Sequence, residues 1–482
     1  MPVASEESTP VRELATLLGD VDRLPPPRYA ALARRVRELL VTGELPVGSR
    51  LPAERDLATA LAVSRVTVAS AYRTLREEGY ARTRHGSGTV TELPDDRPEW
   101  VWQSGETPGV LDLAHAAPSA SPLLAPAYAQ ALTDLAGHYA GSGYVPGGLP
   151  ELRAALADRF TARGLPTTPD QVLVTSGAGD AAALVWETLL ETGDRVLVEH
   201  PSYPGAIRSI ELAGGRCVPV PVDVEDPDAL VEAARLAARQ SGPRLAFLMP
   251  DHANPTGASV SATGRRRLAA TLWQQGVLTV VDEVAADLVL EGEQPPHFAA
   301  GLPDAATITV GALSKSVWGG LRVGWLRTDA ALVDRLSTVL GHRQLSVGLL
   351  DQLAATTLVR RLDEVLDHRR GQLREQRDAL VADLAARLPD WQVTVPTGGL
   401  SLWARLPVGL SSAALTAAAA PAGVLLAEGR VFGTGSAFDD RLRLPFTRPP
   451  AELAAAVDVL VRLDGQLRGR PVPRPVPSAT VV

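Results

Sequence analysis

Val310-Gly311-Ala312-Leu313-Ser314-Lys315-Ser316 holds the only lysine of the chain. Lysine and arginine together number 47, and every one except Lys315 is arginine. Arginine equals lysine in salt bridges and surpasses it in clamping phosphate. Its guanidinium stays protonated at working pH, however, and cannot condense with a carbonyl. A solitary ε-amine between serines, after an apolar run and before Trp318-Gly319-Gly320, points to covalent chemistry with an aldehyde. The competing reading is a chance survivor of an Arg- and Ala-rich composition, and the surroundings must decide between them.

Upstream, Leu278-Thr279-Val280-Val281-Asp282-Glu283 reads as a buried strand ending in carboxylates. In an open α/β sheet, ligands bind at the carboxyl ends of strands. An Asp there can keep a ring nitrogen protonated and make a pyridine an electron sink; a solvated strand-end acid is the alternative. Asp251-His252-Ala253-Asn254-Pro255-Thr256-Gly257 follows the apolar run Leu245 to Met249. It is a turn by composition, placed so that the Asn254 amide can face a ligand. Val172-Leu173-Val174-Thr175-Ser176-Gly177-Ala178-Gly179-Asp180 runs from a strand through a Gly-containing turn into a helix, an arrangement whose free N–H groups suit an anion. Arg322, beyond Trp318-Gly319-Gly320, can pair with the same anion. Tyr203, in His200-Pro201-Ser202-Tyr203-Pro204, is either a face for a flat ring or a core aromatic.

The N-terminal part has another character. The net charge is −8, yet residues 23–90 hold 12 Arg against 6 Asp and Glu. A basic module on an acidic body indicates a polyanionic partner for that module. The periodicity predicts a helix from Tyr29 to Leu40, with Gly43 as its stop. A second helix is expected to begin at Leu51-Pro52-Ala53-Glu54, with proline in the first turn, and to run through Leu57 and Leu61. Ser64 caps a third, from Arg65 to Glu78. Runs Tyr80 to Arg84 and Thr89 to Thr91 flank the turn His85-Gly86-Ser87-Gly88. Three helices and a hairpin make a winged helix-turn-helix.

Composition bounds the rest. A chain of 482 residues is long enough for two to four domains. One cysteine, Cys217, excludes an internal disulfide framework and is expected in the core. Without a transmembrane-length apolar run or a signal-like N-terminus, the expectation is a cytoplasmic protein with no membrane partner. The organisation reads as an arm over 1–22, the winged helix over 23–92 and a linker over 93–111. An α/β domain with a mostly parallel sheet over 112–465 and a Pro-rich, disordered tail over 466–482 complete it.

Two motif sets carry a family resemblance. Leu51-Pro52-Ala53-Glu54-Arg55-Asp56-Leu57-Ala58, Val63-Ser64-Arg65-Val66-Thr67-Val68 and Gly86-Ser87-Gly88-Thr89 resemble the GntR-type winged helix. The resemblance implies DNA contacts from Arg55, Ser64, Arg65, Thr67, His85 and Gly86. The order of anion turn, Tyr203, Asn-Pro-Thr-Gly, strand-end Asp282, Ser-Lys and Arg322 resembles a fold-type I pyridoxal-phosphate domain of the class I aminotransferase kind. Tyr144-Val145-Pro146-Gly147-Gly148-Leu149 and Gly398-Gly399-Leu400 fit it as well. Together they resemble the MocR subfamily of regulators over about 440 residues.

By that resemblance Lys315 forms an aldimine with pyridoxal 5'-phosphate and Asp282 pairs with the pyridine nitrogen. Asn254 binds the phenolic oxygen, and Tyr203 stacks on the ring. Ser176, Gly177, Ala178, Ser314 and Arg322 hold the phosphate, and Arg443 meets an effector carboxylate. The implied function is a homodimeric regulator on double-stranded DNA that senses pyridoxal phosphate or a small amino compound. The alternative is an active aminotransferase carrying a DNA-binding head; no metal site is expected. Two positions depart from the family pattern. Val284-Ala285-Ala286 stands where a tyrosine often follows the aspartate, and Ala312 replaces a phosphate-binding Ser or Thr. Each departure removes one hydrogen bond, about 0.5–1.5 kcal/mol net.

Overall fold

A computed structural model of the chain describes residues 10–19, 27–41, 45, 49–77, 80–84, 88–91, 109–433 and 437–468, in two compact units. The first unit contains α1 (Val11–Leu18), α2 (Arg28–Val41), α3 (Glu54–Ala60) and α4 (Arg65–Glu77). The hairpin β1 (Ala81–Arg84) and β2 (Gly88–Thr91) follows, with Ala81 opposite Thr91. Leu32, Val36, Leu39, Leu57, Val68, Tyr72 and Leu75 form the core at helical spacing. Residues 49–51 run along the hairpin, Leu51 N–H donating to Thr89 and Thr91 N–H to Ser49, each at 2.9 Å.

Two details differ from the sequence reading. Residues 11–18, within the expected arm, are a helix whose Leu14 and Leu18, four apart, sink into the head core. The second helix starts at Glu54, so Pro52 precedes it instead of occupying its first turn. The Pro52 carbonyl instead accepts the buried Tyr72 hydroxyl at 3.0 Å.

The second unit begins with β3 (Leu111–Leu113), followed by β4 (Val172–Thr175), β5 (Arg195–His200), β6 (Arg216–Pro221), β7 (Leu245–Leu248), β8 (Leu278–Asp282), β9 (Thr307–Ala312) and β10 (Gly324–Arg327). All except β3 form one sheet in the order β4-β10-β9-β8-β7-β5-β6. β5, β7, β8 and β9 pair in parallel, and β10 lies antiparallel between β4 and β9. The sheet is buried on both faces, which is why its strands read as continuous apolar runs. Leu173 packs with the helices Ala178–Leu189 and Pro204–Leu212, while Val172 and Val174 join the opposite cluster. Cys217, on the edge strand β6, is half-buried and packs against the core cluster that Leu173 joins.

A smaller sheet completes the unit with β11 (Gln392–Thr394), β12 (Ser401–Arg405), β13 (Val424–Glu428) and β14 (Arg441–Pro445), in the order β11-β12-β14-β13-β3. β3 pairs in parallel with β13, Leu111 opposite Val424 and Asp112 opposite Leu425. The start of this unit is thereby stitched to its C-terminal part. Arg443 on β14 stands opposite Trp403 on β12.

Candidate functional site

Five parallel strands end at one rim, and the predicted residues stand just beyond them: Ser176 after β4, Lys315 after β9, Asp282 closing β8, Asn254 after β7 and Tyr203 after β5. Ser176, Ala178, Tyr203, Asn254, Asp282, Ser314 and Lys315 are all half-buried. Gly177 and Arg443 are buried and Arg322 is exposed.

The anion turn forms as its composition predicts. Gly177 takes φ 115°, a conformation open to glycine, and starts the helix Ala178–Leu189. A Cβ on Gly177 would fall 2.8 Å from Arg322 Nη2, so glycine also lets the guanidinium approach the backbone. Arg322, itself left-handed at φ 53°, donates to the Ser176 carbonyl at 2.5 Å. The Ser176 N–H donates to Asp180 Oδ2 at 3.1 Å. Gly177 and Ala178 lie at the positive end of this helix, a place where N–H groups suit an anion. Ser176 Oγ donates to Gln344 Oε1 at 3.0 Å, and the buried Gln344 Nε2 has no partner among the described residues.

Lys315 Nζ donates to the Ala116 carbonyl at 2.8 Å. Enclosure by protein pushes its ammonium down to about 8; the cations Arg443 and Arg322 add to this, and Asp282 opposes it. The Asp282 carboxyl is pushed up to about 6 by burial, against the Val284 N–H and the Lys315 charge. The free amine is the nucleophile. Labelling of the single ε-amine by an amine-reactive probe, followed by peptide mass analysis, is therefore expected to rise with pH through a midpoint near 8. An ordinary lysine titrates near ~10.4, and a midpoint there would contradict the enclosed amine.

Asn254 and Arg443 meet across the site, Arg443 Nη1 donating to Asn254 Oδ1 at 3.1 Å. The other Arg443 nitrogen donates to the Ala114 carbonyl, and the guanidinium lies over the Phe432 ring, 4.8 Å from its centroid. Tyr203 lies over Gly205, where a Cβ would stand 2.6 Å from the ring. Burial and then the Asp282 charge raise the tyrosine pKa, while Arg443 and Arg322 oppose. The Asn254 turn is anchored from behind by the buried pair Asp251–Arg265, at 2.7 and 3.3 Å. The loops around the lysine are tied by Arg369, which donates to the carbonyls of Ser316, Val317 and Ser119.

In the head, Ser64 accepts the Thr67 N–H at 3.1 Å and its hydroxyl meets Thr67 Oγ1 at 2.8 Å, so the N-terminal turn of α4 is capped as expected. Ser64, Arg65 and Val66 are exposed there, Val66 at 74%. Arg65 reaches Glu54 at 3.5 Å, and Arg55 reaches Asp56 at 3.1 Å. His85 and Gly86 lie outside the described residues.

Several site residues have no counterpart in the sequence reading. Asp112, Ala114, His115, Ala116, Gln344 and Arg369 sit in no recognisable motif, and Ala114 and Ala116 act through backbone carbonyls. Glu199 did carry a signal, as a second strand-end carboxylate one residue before the His-Pro step. It is 2% exposed and accepts the Met249 N–H at 2.9 Å; burial first, with the Asp282 charge adding, raises its carboxyl to about 8. Among the described residues no cluster of three or more His, Cys, Asp and Glu suits a metal ion. No described helix is long and apolar enough to cross a membrane.

Comparison with known proteins places both units. Residues 110–460 match the family described as aminotransferase class I and II, and residues 28–90 match the bacterial regulatory proteins of the gntR family. The chain is 28% identical over 439 residues to the uncharacterized HTH-type transcriptional regulator YdcR of Escherichia coli, covering 85% of this chain and 92% of that protein. It is 27% identical to the probable rhizopine catabolism regulatory protein MocR of Rhizobium meliloti, over 83% of this chain and 85% of that one. A crystal structure of LysN, an alpha-aminoadipate aminotransferase of Thermus thermophilus complexed with N-(5'-phosphopyridoxyl)-L-leucine, superposes with a TM-score of 0.68. That comparison has 29% identity and covers 75% of this chain and 93% of LysN.

Proposed function

The chain belongs to the aminotransferase class I and II family and carries a gntR-family head, and from that premise we propose that it is a pyridoxal-phosphate-binding transcriptional regulator of the MocR type. The observation that carries this is the convergence of the only ε-amine on Asp282, Asn254, Tyr203 and a glycine-built anion turn, in a chain whose other unit is a winged helix. The residues fit the cofactor. The Gly177 cradle with Arg322, and the orphaned Gln344 Nε2 beside Ser176, suit a phosphate.

When bound, pyridoxal phosphate supplies an aldehyde for a primary amine and a ring that accepts electron density. Lys315 is the residue to hold it covalently, with part of its amine already unprotonated near neutrality. Asp282 would pair with the ring nitrogen and help keep a proton there. Asn254 would bind the phenolic oxygen and Tyr203 would stack on the ring. Gly177, Ala178, Ser176, Ser314 and Arg322 would hold the phosphate. Arg443, buried and cationic, receives the carboxylate of an amino compound. Val284-Ala285-Ala286 offers no hydroxyl to the phenolic oxygen, which favours a sensor over an efficient transaminase.

The head binds double-stranded DNA through the exposed start of α4, with Arg65 toward base edges and Arg55 toward phosphate. A homodimer acting in the cytoplasm, with paired half-sites on DNA, completes the proposal. Footprinting of the region upstream of its own gene, with and without pyridoxal phosphate, tests the function. A footprint that changes with cofactor is expected; an identical footprint over a range of cofactor and amines would sink the sensor reading. Arg65→Ala should weaken operator binding by ~1–3 kcal/mol in a gel-shift titration, and unaltered affinity would remove Arg65 from the interface.

A further inference from the structure

Arg443 is a cation set into an apolar patch. On β14 it stands between Trp403 of β12 and Ala427 of β13, its partners in register. Residues paired in this way point to the same face of a sheet. Trp403, Ala427 and Phe432 form one buried cluster on that face. Phe432 belongs to the turn Gly429–Phe432, which leaves β13 directly. Glycine lets the turn lie close to its neighbour, because a Cβ on Gly429 would collide with the Phe438 carbonyl. The turn is also tied to the loop of Tyr203, the Phe432 carbonyl accepting the Ser202 N–H at 2.9 Å. The Phe432 ring is fully buried and packs edge-to-face on Trp403, with centroids 5.6 Å apart and planes at 79°. Trp403 in turn meets Phe438 edge-to-face at 5.9 Å. A ring packed in this way keeps its orientation, and the Arg443 guanidinium carbon lies over its face, 4.8 Å from the centroid.

We propose that Phe432 is a positioning residue for the effector carboxylate: its ring face sets the tilt of the Arg443 guanidinium, and the site thereby prefers ligands that carry a carboxylate. This rests on the assignment of Arg443 made above. The face of an aromatic ring is negative and attracts a cation, most strongly where water is excluded. The hydrogen bonds from Arg443 to Asn254 Oδ1 and to the Ala114 carbonyl direct the guanidinium within its own plane. A planar group can still tilt about the line joining two such bonds, and a ring beside it sets that tilt. Tilt matters because a guanidinium grips a carboxylate through two parallel N–H groups, both of which must reach. The ring also stabilises a buried cation without supplying an anion that would compete with the ligand. An aliphatic residue of similar size fills the same space and offers neither effect.

Two probes binding to the full-length protein, after removal of any bound cofactor, test this. One is the phosphopyridoxyl adduct of L-leucine. The other is the phosphopyridoxyl adduct of isopentylamine, which is leucine without its carboxylate. The ratio of their affinities reads the carboxylate, because a general loosening of the fold weakens both probes alike. The unmodified protein should prefer the leucine adduct, and Arg443→Leu should lose that preference. Phe432→Leu should lower the preference by ~10–30-fold while the isopentylamine adduct binds as before. Phe432→Tyr, which keeps the ring, should retain it. Phe432→Met, a flexible apolar filler, gives the same reading if Phe432→Leu does not fold. A preference that survives in the leucine or methionine variant overturns the role of Phe432 and leaves Arg443 its carboxylate. An equal loss in Phe432→Tyr also overturns it, by making the effect one of packing. Equal binding of the two adducts by the unmodified protein overturns Arg443 and Phe432 together, and failure of both adducts to bind overturns the cofactor reading itself.

Discussion

Replacing Lys315 with arginine is expected to abolish covalent capture of pyridoxal phosphate completely. The variant keeps a long cation beside Asp282 and can still donate to the Ala116 carbonyl, so the fold and the charge balance of the site survive. What disappears is the one ε-amine of the chain. A guanidinium does not deprotonate at working pH and cannot condense with the aldehyde. Borohydride reduction of the unmodified protein should leave a pyridoxyl group on one internal peptide, the one carrying Lys315. In Lys315→Arg, both the absorption band near the visible edge and that peptide adduct should be absent, with unchanged circular dichroism. A surviving band would place the cofactor chemistry elsewhere.

The largest loss of stability is expected at Asp251. Asp251 and Arg265 are 2% and 1% exposed and paired through both guanidinium nitrogens, which also donate to the Pro296 and Val260 carbonyls. Asp251→Leu leaves a buried guanidinium without its counter-charge, a change that costs about 3–5 kcal/mol. Urea unfolding of the large unit should shift to lower concentration accordingly. The double replacement Asp251→Leu with Arg265→Met should recover most of the loss, since an apolar pair of similar volume is often close to neutral there. Equal instability of the single and double variants would show that packing, and not the orphaned charge, sets the cost. Because Asn254 follows three residues later, the single variant should also weaken its contact with Arg443.

Much of the site was legible because its residues announce themselves by type and place. A lysine among arginines, an aspartate closing an apolar run, a glycine between a strand and a helix and an Asn-Pro turn each combine unusual chemistry with a readable local context. The winged helix was legible for the same reason: Leu32, Val36 and Leu39 repeat at helical spacing, and Ser64 stands where a cap belongs. The helix at residues 11–18 was harder. Its eight residues carry only a short apolar stripe, whose burial depends on α2 and α3 being there to receive it. The second helix starts at Glu54, past Leu51-Pro52-Ala53, and the Pro52 carbonyl accepts the Tyr72 hydroxyl.

Local pattern therefore sufficed for the fold class of each unit, for the lysine and for the strand-end carboxylate. Spacing and residue type are properties of short stretches, and short stretches dictate strands, turns and caps. The tertiary structure alone decided what the lysine and Arg443 touch. Asn254 and Arg443 are 189 residues apart, Lys315 and Ala116 199, and Arg443 and Ala114 329. In the last two pairs the acceptor is a backbone carbonyl, a group that nearly every position along the chain offers equally. No side-chain pattern distinguishes Ala114 or Ala116 from any other alanine. The pairing of β3 with β13, with Arg369 on the Ser119 carbonyl and the Ser121 N–H on Val317, brings them to the site.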